Sequence, residues 1–167
     1  AGALGTIDAD LEGSLARIEK DGAKADQAAI TLQRDRARFG AKAADEAFAT
    51  GIFTDYVASF AHWTPDEQKR FRAGQEAHGK GREALKAKDY DKAFAEGTRC
   101  AEWARSLGDW WGWAMGMSCI GAAEEGRGKL DEAGVAYALA RRINHDLHLE
   151  GAELRDAVAM TRVLFAR

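Results

Sequence analysis

Apolar residues recur every three or four positions along most of the chain, which is the spacing of one helical face. Near the amino end, Ile7, Leu11, Leu15 and Ile18 fall on one such stripe, and Asp21-Gly22 is a suitable end for the helix. The pattern predicts a short amphipathic helix there.

A second helix is predicted from about residue 23, through Ile30 and Phe39, to Phe48, in a region that Gly40 and Gly51 interrupt. A dense aromatic patch follows at helical spacing, made of Phe53, Tyr56, Val57 and Phe60. We expect residues 1–63 to form a helical extension or cap whose aromatic residues cover the segment that follows. A separate ligand-binding or dimerising segment is the alternative.

The clearest helix start is Thr64-Pro65-Asp66-Glu67. Threonine can cap free backbone amides, and Glu67 stands where a capping box needs it. Proline at the first helical position costs no hydrogen bond, because an amide there has no partner within the helix. A long helix is therefore predicted from there to about Lys86. Later helices are predicted over about 91–106, 110–125, 130–144 and 149–166.

Two stretches of these later helices repeat each other forty residues apart. The first contains Gly81, Asp89-Tyr90-Asp91-Lys92-Ala93 and Cys100; the second contains Gly121, Lys129-Leu130-Asp131-Glu132-Ala133, Tyr137 and Ala140. A fixed period of roughly 20 to 50 residues is typical of stacked repeats, in which each unit needs its neighbours to bury its apolar face. Chains of this kind bind more often than they catalyse.

The spacing resembles that of the tetratricopeptide repeat. In that family, a small residue in the first helix and an alanine in the second let the two helices approach closely, and Gly81 with Ala93, and Gly121 with Ala133, match these positions. Further matches are Tyr90 and Leu130 at the corner, Gly128 as the corner glycine, Tyr137 as the aromatic of the second helix, and Cys100 and Ala140 as its small residue. The departures are Lys80 in place of leucine, Gly97 in place of an aromatic residue, and no closing proline. The forty-residue period is similar to the longer-helix variant of the family.

The resemblance implies an all-α fold of stacked antiparallel helical hairpins, a TPR-like α-solenoid. Residues 64–167 would hold two units, at about 74–107 and 114–147, and a partial third at 148–167. Ala159, Met160 and Thr161 compete for the small position of the third unit, so its register stays open.

The resemblance also implies a concave groove, lined by the first helix of each unit, that binds a peptide or partner helix. The positions that carry over are Gln75, His78, Arg82, Leu85, Lys86, Met115, Ser118, Ala122, Glu125, Arg155, Val158 and Arg162. Such a groove is basic at its ends and suits an acidic or carboxylate-bearing ligand with an apolar middle. The asparagines that some family members use to clamp a terminal carboxylate are missing, since Asn144 is the only asparagine. An ordinary solvated helix face is the alternative.

Four tryptophans crowd the junction between the units: Trp103, Trp110, Trp111 and Trp113. Residues three apart share a helical face, so Trp110 and Trp113 are expected to lie together while Trp111 points elsewhere. Trp111 is therefore a candidate anchor for a partner, because tryptophan is enriched at binding hot spots. Structural packing is the alternative.

Composition agrees with a helical protein of one domain's length, 167 residues, because alanine is abundant while valine and proline are scarce. A net charge of −3 with interspersed signs gives no basic surface for nucleic acid or anionic lipid. No apolar run reaches the roughly 18 residues of a membrane span, and no signal peptide is evident. We expect a soluble, cytoplasmic protein, although a start at Ala1 also fits a processed form or a piece of a longer chain.

The cysteines, the histidines and the glycine-rich segment give little indication of a disulfide, a metal site or a phosphate site. Cys100 and Cys119 are expected to be buried apolar residues, and whether they pair is open. His145 and His148, near Asp146 and Glu150, lack a third metal ligand, so no metal or other cofactor is expected. The glycines between residues 121 and 129 do not form a phosphate loop, because a predicted helix precedes them.

The sequence thus predicts a non-catalytic scaffold for protein interactions, with a partner that is a protein or peptide and with self-association possible. One alternative is a regulatory or sensor arm of a larger signalling enzyme. Another is a helical domain that binds a small molecule or a metal ion.

Overall fold

A computed structural model describes residues 2–166, apart from the side chain of Ala23. Within this range the chain forms eight α-helices and no strand, so the all-α prediction is confirmed. The helices are α1 (Ala3–Asp21), α2 (Gln27–Phe48), α3 (Ile52–His62), α4 (Pro65–Lys86), α5 (Tyr90–Leu107), α6 (Trp110–Gly126), α7 (Leu130–Asp146) and α8 (Glu150–Phe165). None of these helices combines the length and apolarity needed to cross a membrane.

The second helix differs from its prediction in two respects. It begins at Gln27 rather than near residue 23, because the Asp26 side chain caps it by accepting hydrogen bonds from the next backbone amides. Gly40 lies inside the helix and does not interrupt it, since Ala37 and Ala41 on either side continue its buried face. Phe39 is 78% exposed, so helical spacing alone did not make it a core residue.

The chain divides into two compact units, of which the first ends at His62 and the second begins at Trp63. In the first unit, α2 packs against α1 and α3. The predicted aromatic patch on α3 is buried, with each side chain at most 3% exposed. The Tyr56 hydroxyl donates a hydrogen bond to Asp8 at 2.6 Å, so its polar end is satisfied. This patch is a core element and presents no aromatic surface to a ligand.

The second unit begins with the predicted capping box. The Thr64 hydroxyl accepts a hydrogen bond from the Glu67 amide, and the Glu67 carboxylate accepts one from the Thr64 amide at 2.7 Å. Just before it, the Trp63 indole donates to the Leu107 carbonyl at 2.9 Å and its ring lies 4.9 Å from the Phe71 ring. Trp63 therefore ties the start of α4 to the end of α5.

The four corners that join α4 to α8 share one geometry. A residue in the left-handed region ends each helix: Lys88, Gly108, Gly128 and His148, with φ of 58°, 69°, 76° and 52°. The amide that follows then bonds to a carbonyl five residues back, in the pairs Asp89 to Ala84, Asp109 to Ala104, Lys129 to Glu124 and Leu149 to Asn144, each at 2.9 Å. These bonds satisfy carbonyls that a helix end would otherwise leave free. The corners therefore recur every twenty residues.

Along the second unit each helix packs on the next, and α4 also contacts α6. Helices α5 and α6 approach closely, since a Cβ at Gly116 would lie 2.6 Å from the Ala101 backbone nitrogen. A Cβ at Gly81 would meet the Cys119 sulfur at 2.8 Å before the Ala93 carbonyl at 3.7 Å. Glycine is needed at these positions for close packing rather than for a special backbone angle.

Both cysteines are free and buried. Each thiol donates to a backbone carbonyl at 3.5 Å, Cys100 to Gly112 and Cys119 to Ala93. Burial raises the pKa of Cys100 to about 12 and that of Cys119 to about 11. The prediction of small buried residues is confirmed at both positions.

The last helix buries one narrow face. Asp156, Ala159 and Val163 are buried, and the latter two join a small core with Ala133 and Tyr137 of α7. Ala159, Met160 and Thr161 were the candidates for the small position of the predicted third repeat, and of these Ala159 is buried.

Candidate functional site

A groove of about 800 Å³ lies between the inner faces of α4, α6 and α8, with part of α7 at its base. The predicted partner-binding residues that line it are His78, Arg82, Trp111, Met115, Ser118, Arg155 and Arg162. Leu85 and Val158, which the resemblance also placed in a groove, line it as well. The structure thus brings together residues from three helices that are far apart in the sequence.

Part of the groove lining is apolar. Trp111 and Met115 line it from α6, and Leu154 and Val158 line it from α8. Leu154 is 65% exposed and Val158 is 56% exposed, although both are large aliphatic residues. Covering these apolar side chains with a ligand is favourable, because it removes apolar surface from water.

Two guanidinium groups line the same groove from different helices. Arg82 lies on α4 and Arg155 lies on α8. Among residues 2–166, neither guanidinium makes a hydrogen bond or a salt bridge, and each interacts only electrostatically with the acid next to it in sequence, Arg82 with Glu83 and Arg155 with Asp156. Arginine donors arranged in this way suit a carboxylate or another anion.

Arg162 also lines the groove, but its charge is already paired. Its guanidinium donates two hydrogen bonds to the Glu125 carboxylate, one of them at 2.6 Å, and the Tyr137 hydroxyl donates to the same carboxylate at 2.9 Å. The bonds from Arg162 hold the pKa of Glu125 below its usual range, while burial and the bond to Glu125 raise the pKa of Tyr137. Arg162 and Glu125 therefore join α8 to α6 and leave less charge for a ligand.

A second polar bridge between α6 and α8 lies at the base of the groove. The buried Asp156 carboxylate accepts hydrogen bonds from the Ser118 hydroxyl at 2.9 Å and from the Asn144 amide at 2.8 Å. Desolvation raises the pKa of Asp156 despite these bonds. Ser118 was predicted from the sequence but Asp156 was not, although its spacing from Ala159 and Val163 places an acid on the buried face of α8.

His78 lies beside Arg82 on the inner face of α4. Burial lowers the pKa of His78, and the neighbouring positive charge of Arg82 lowers it further. The imidazole is therefore neutral at pH 7, and the positive charge on this wall comes from Arg82.

Three predicted partner-binding residues do not line the groove. Gln75 is exposed and accepts a hydrogen bond from Arg72 at 2.9 Å. Lys86 is exposed and pairs with Glu83 at 2.7 Å. The third is Glu125, whose carboxylate is taken up by the bridge described above. The repeat register assigned these three and Ala122 to the groove, and Ala122 packs instead against the core of Ala133 and Tyr137, so the register alone does not select the lining residues.

The tryptophans at the junction separate as expected. The rings of Trp110 and Trp113 lie 5.5 Å apart, and Trp111 points into the groove. Trp111 is half-buried, so part of its ring is open to a ligand. Packing explains Trp110 and Trp113, while Trp111 stays a candidate anchor.

Of the candidate metal residues, His145 is engaged by a neighbouring carboxylate. His145 lies 3.1 Å from Glu153, which also contacts Arg141 at 3.5 Å. Within the part of the chain that the structure describes, no group of three or more His, Cys, Asp or Glu side chains is arranged to hold a metal ion.

Comparison of the chain with models of protein families, with curated proteins and with solved structures gives no match. The function proposed below therefore depends on the residues of the groove.

Proposed function

We propose that residues 63–166 form a TPR-like stack of helical hairpins whose groove binds an acidic segment of a partner protein, without catalysis of its own. The recurring corners support the stack, because a left-handed residue and the same backbone bond return every twenty residues from Lys88 to His148. In such a stack the first helices of successive units share one face, as α4, α6 and α8 do around the groove.

The observation that carries the binding proposal is the pair of unpartnered guanidinium groups beside an apolar strip. Arg82 and Arg155 supply charge from α4 and α8, and Trp111, Met115 and Val158 supply apolar surface in the same groove. A partner with carboxylates outside an apolar centre complements both features. Because α-helices hold every lining residue in place, little conformational entropy is lost when the partner binds.

Panning of a displayed library of 16-residue peptides against the protein tests this proposal. Selected peptides are expected to be acidic and to lose binding to the Arg82→Glu/Arg155→Glu variant. Lys86→Glu is the matched control, because Lys86 is an exposed cation on the same helix but lies outside the groove lining. Peptides that bind the double variant and the wild type equally well would show that the groove is not the binding site.

A further inference from the structure

The groove offers few hydrogen-bonding groups to a peptide backbone. All the lining residues lie within α4, α6, α7 and α8, so their own backbone groups are largely engaged in helices. The Asn144 amide and the Ser118 hydroxyl both donate to Asp156. The side chains that remain between the two walls are mostly aliphatic, aromatic or sulfur-containing.

An extended peptide in such a groove would bring one N–H and one C=O group per residue and find few partners for them. A helix satisfies these groups internally and presents only side chains. The volume of about 800 Å³ matches roughly two turns of a helix about 10 Å wide. The lining therefore favours a helical occupant over an extended one.

The two free guanidinium groups set where the charges of that helix should lie. In the forty-residue register Arg82 corresponds to position 162, and Arg155 stands seven residues before that position on α8. Seven residues of α-helix span roughly 10 Å, so Arg82 and Arg155 are offset by about two turns along the groove. They also lie on different helices, Arg82 on α4 and Arg155 on α8, and α6, which carries Trp111 and Met115, contacts α4 and is hydrogen-bonded to α8.

From these relationships we infer that the partner segment is an amphipathic α-helix with two acidic residues about six positions apart, on either side of an apolar stripe. The stripe packs on Trp111, Met115 and Val158, and the two carboxylates pair with Arg82 and Arg155. This inference rests on the proposed function and adds the conformation and charge spacing of the partner.

Three synthetic peptides of equal length test the inference. The first has two glutamates six positions apart around a leucine stripe, the second has the same composition with both glutamates at one end, and the third is the first with a central proline. Binding is measured by fluorescence anisotropy on the wild type and on Arg82→Gln, Arg155→Gln and the control Lys86→Gln.

The first peptide is expected to bind roughly tenfold more tightly than the other two. Arg82→Gln and Arg155→Gln should each weaken its binding roughly fivefold to tenfold, and Lys86→Gln should leave it unchanged. If the proline peptide binds as well as the first and still depends on both arginines, the helical inference is wrong and the groove proposal stands. If neither arginine matters, or the first peptide does not bind, both are wrong.

A competition experiment with glutarate, a small dicarboxylate, separates the peptide from a small-molecule ligand. Glutarate should fail to displace the first peptide at concentrations near the Kd of that peptide, because it cannot cover the apolar strip. Displacement at such concentrations would overturn the inference and indicate a site for small dicarboxylates.

Discussion

The carboxylate of Glu125 on α6 accepts two hydrogen bonds from the guanidinium of Arg162 on α8, across 37 residues of sequence. Both residues were predicted to face a partner, and here they face each other. The pair joins two walls of the groove, and the Tyr137 hydroxyl completes it from α7. The charge that remains for a ligand therefore belongs to Arg82 and Arg155.

Glu125→Gln and Arg162→Met, alone and together, should give a coupling free energy of about 1 kcal/mol in a double-mutant cycle followed by urea unfolding. The coupling is modest because the Arg162 side chain is 58% exposed. It is still measurable because two hydrogen bonds join the side chains and the Glu125 side chain is only 22% exposed. The exposed pair Glu83 and Lys86 is the control and should show much weaker coupling. Equal coupling in the two pairs would contradict a special role for the bridge.

Gly116→Ala should lower the free energy of unfolding by about 1–3 kcal/mol, because the new methyl group would overlap the backbone of Ala101. Gly79→Ala is the matched control on a helix: no atom lies within 4 Å of its Cβ position, so alanine should stabilise the protein by up to about 1 kcal/mol. Chemical denaturation of both variants measures the difference. Stabilisation by both changes would show that α5 and α6 do not approach closely at Gly116.

Asp156→Asn should change how stability depends on pH. Burial raises the pKa of Asp156, so the folded state favours the neutral acid. The resulting contribution to the free energy of unfolding is fully present below the unfolded pKa of about 3.9. It is lost as the pH rises through the folded pKa. The stability of the variant relative to the wild type should therefore increase as the pH rises from about 4 towards 7. Exposed Asp131→Asn serves as the control in urea titrations at several pH values. A relative stability that decreases over this range would contradict the raised pKa.

The imidazole of His78 should titrate below the ordinary histidine pKa of 6.5, because of burial first and the charge of Arg82 second. Arg82→Gln should raise the pKa of His78 part of the way back, since burial remains. An acidic peptide bound beside Arg82 should raise it as well, so peptide affinity should increase as the pH falls from about 7 to 6. NMR titration of the ring protons measures these shifts. A midpoint at or above 6.5 in the free protein would count against the environment described for His78.

Cys100 and Cys119 should react very slowly with a disulfide reagent in the folded protein at pH 8, because the thiolate is the reactive form and burial raises both pKa values, to about 12 and about 11. In urea both thiols should react at the rate of an ordinary cysteine. The absorbance of the released thiol follows the reaction. Rapid modification of either thiol in the native protein would show that the helices around it separate readily.

Helix positions in the second unit were largely predictable from local signals. The capping box at Thr64 placed the start of α4, and Gly108 and Gly128 marked two of its later corners. Lys88 and His148 end helices with the same left-handed geometry without being glycine, so two corners had no such local signal. In the first unit, the start of α2 was missed because Asp26 acts as a cap, a role that its neighbours in the sequence did not make obvious.

The groove was predictable only in outline. Helical spacing and the forty-residue register placed His78, Arg82, Met115 and Ser118 on shared faces, and these residues do line the groove. The same register included Lys86, which lies outside the lining. The register specifies an angle around one helix, whereas lining a groove also depends on how neighbouring helices are placed.

By itself, the sequence determined most of the helices and much of the apolar side of each helix, because periodicity and capping act over only a few residues. Only the tertiary structure decided which charges are paired. Glu125 neutralises Arg162 and Asp156 accepts from Ser118 because close packing sets the distances between helices, as Gly116 permits between α5 and α6. Arg82 and Arg155 keep their guanidinium donors for the same reason: among the described residues neither makes a hydrogen bond or a salt bridge, and the carboxylates that act on them electrostatically, Glu83 and Asp156, are held by Lys86 and by Ser118 and Asn144.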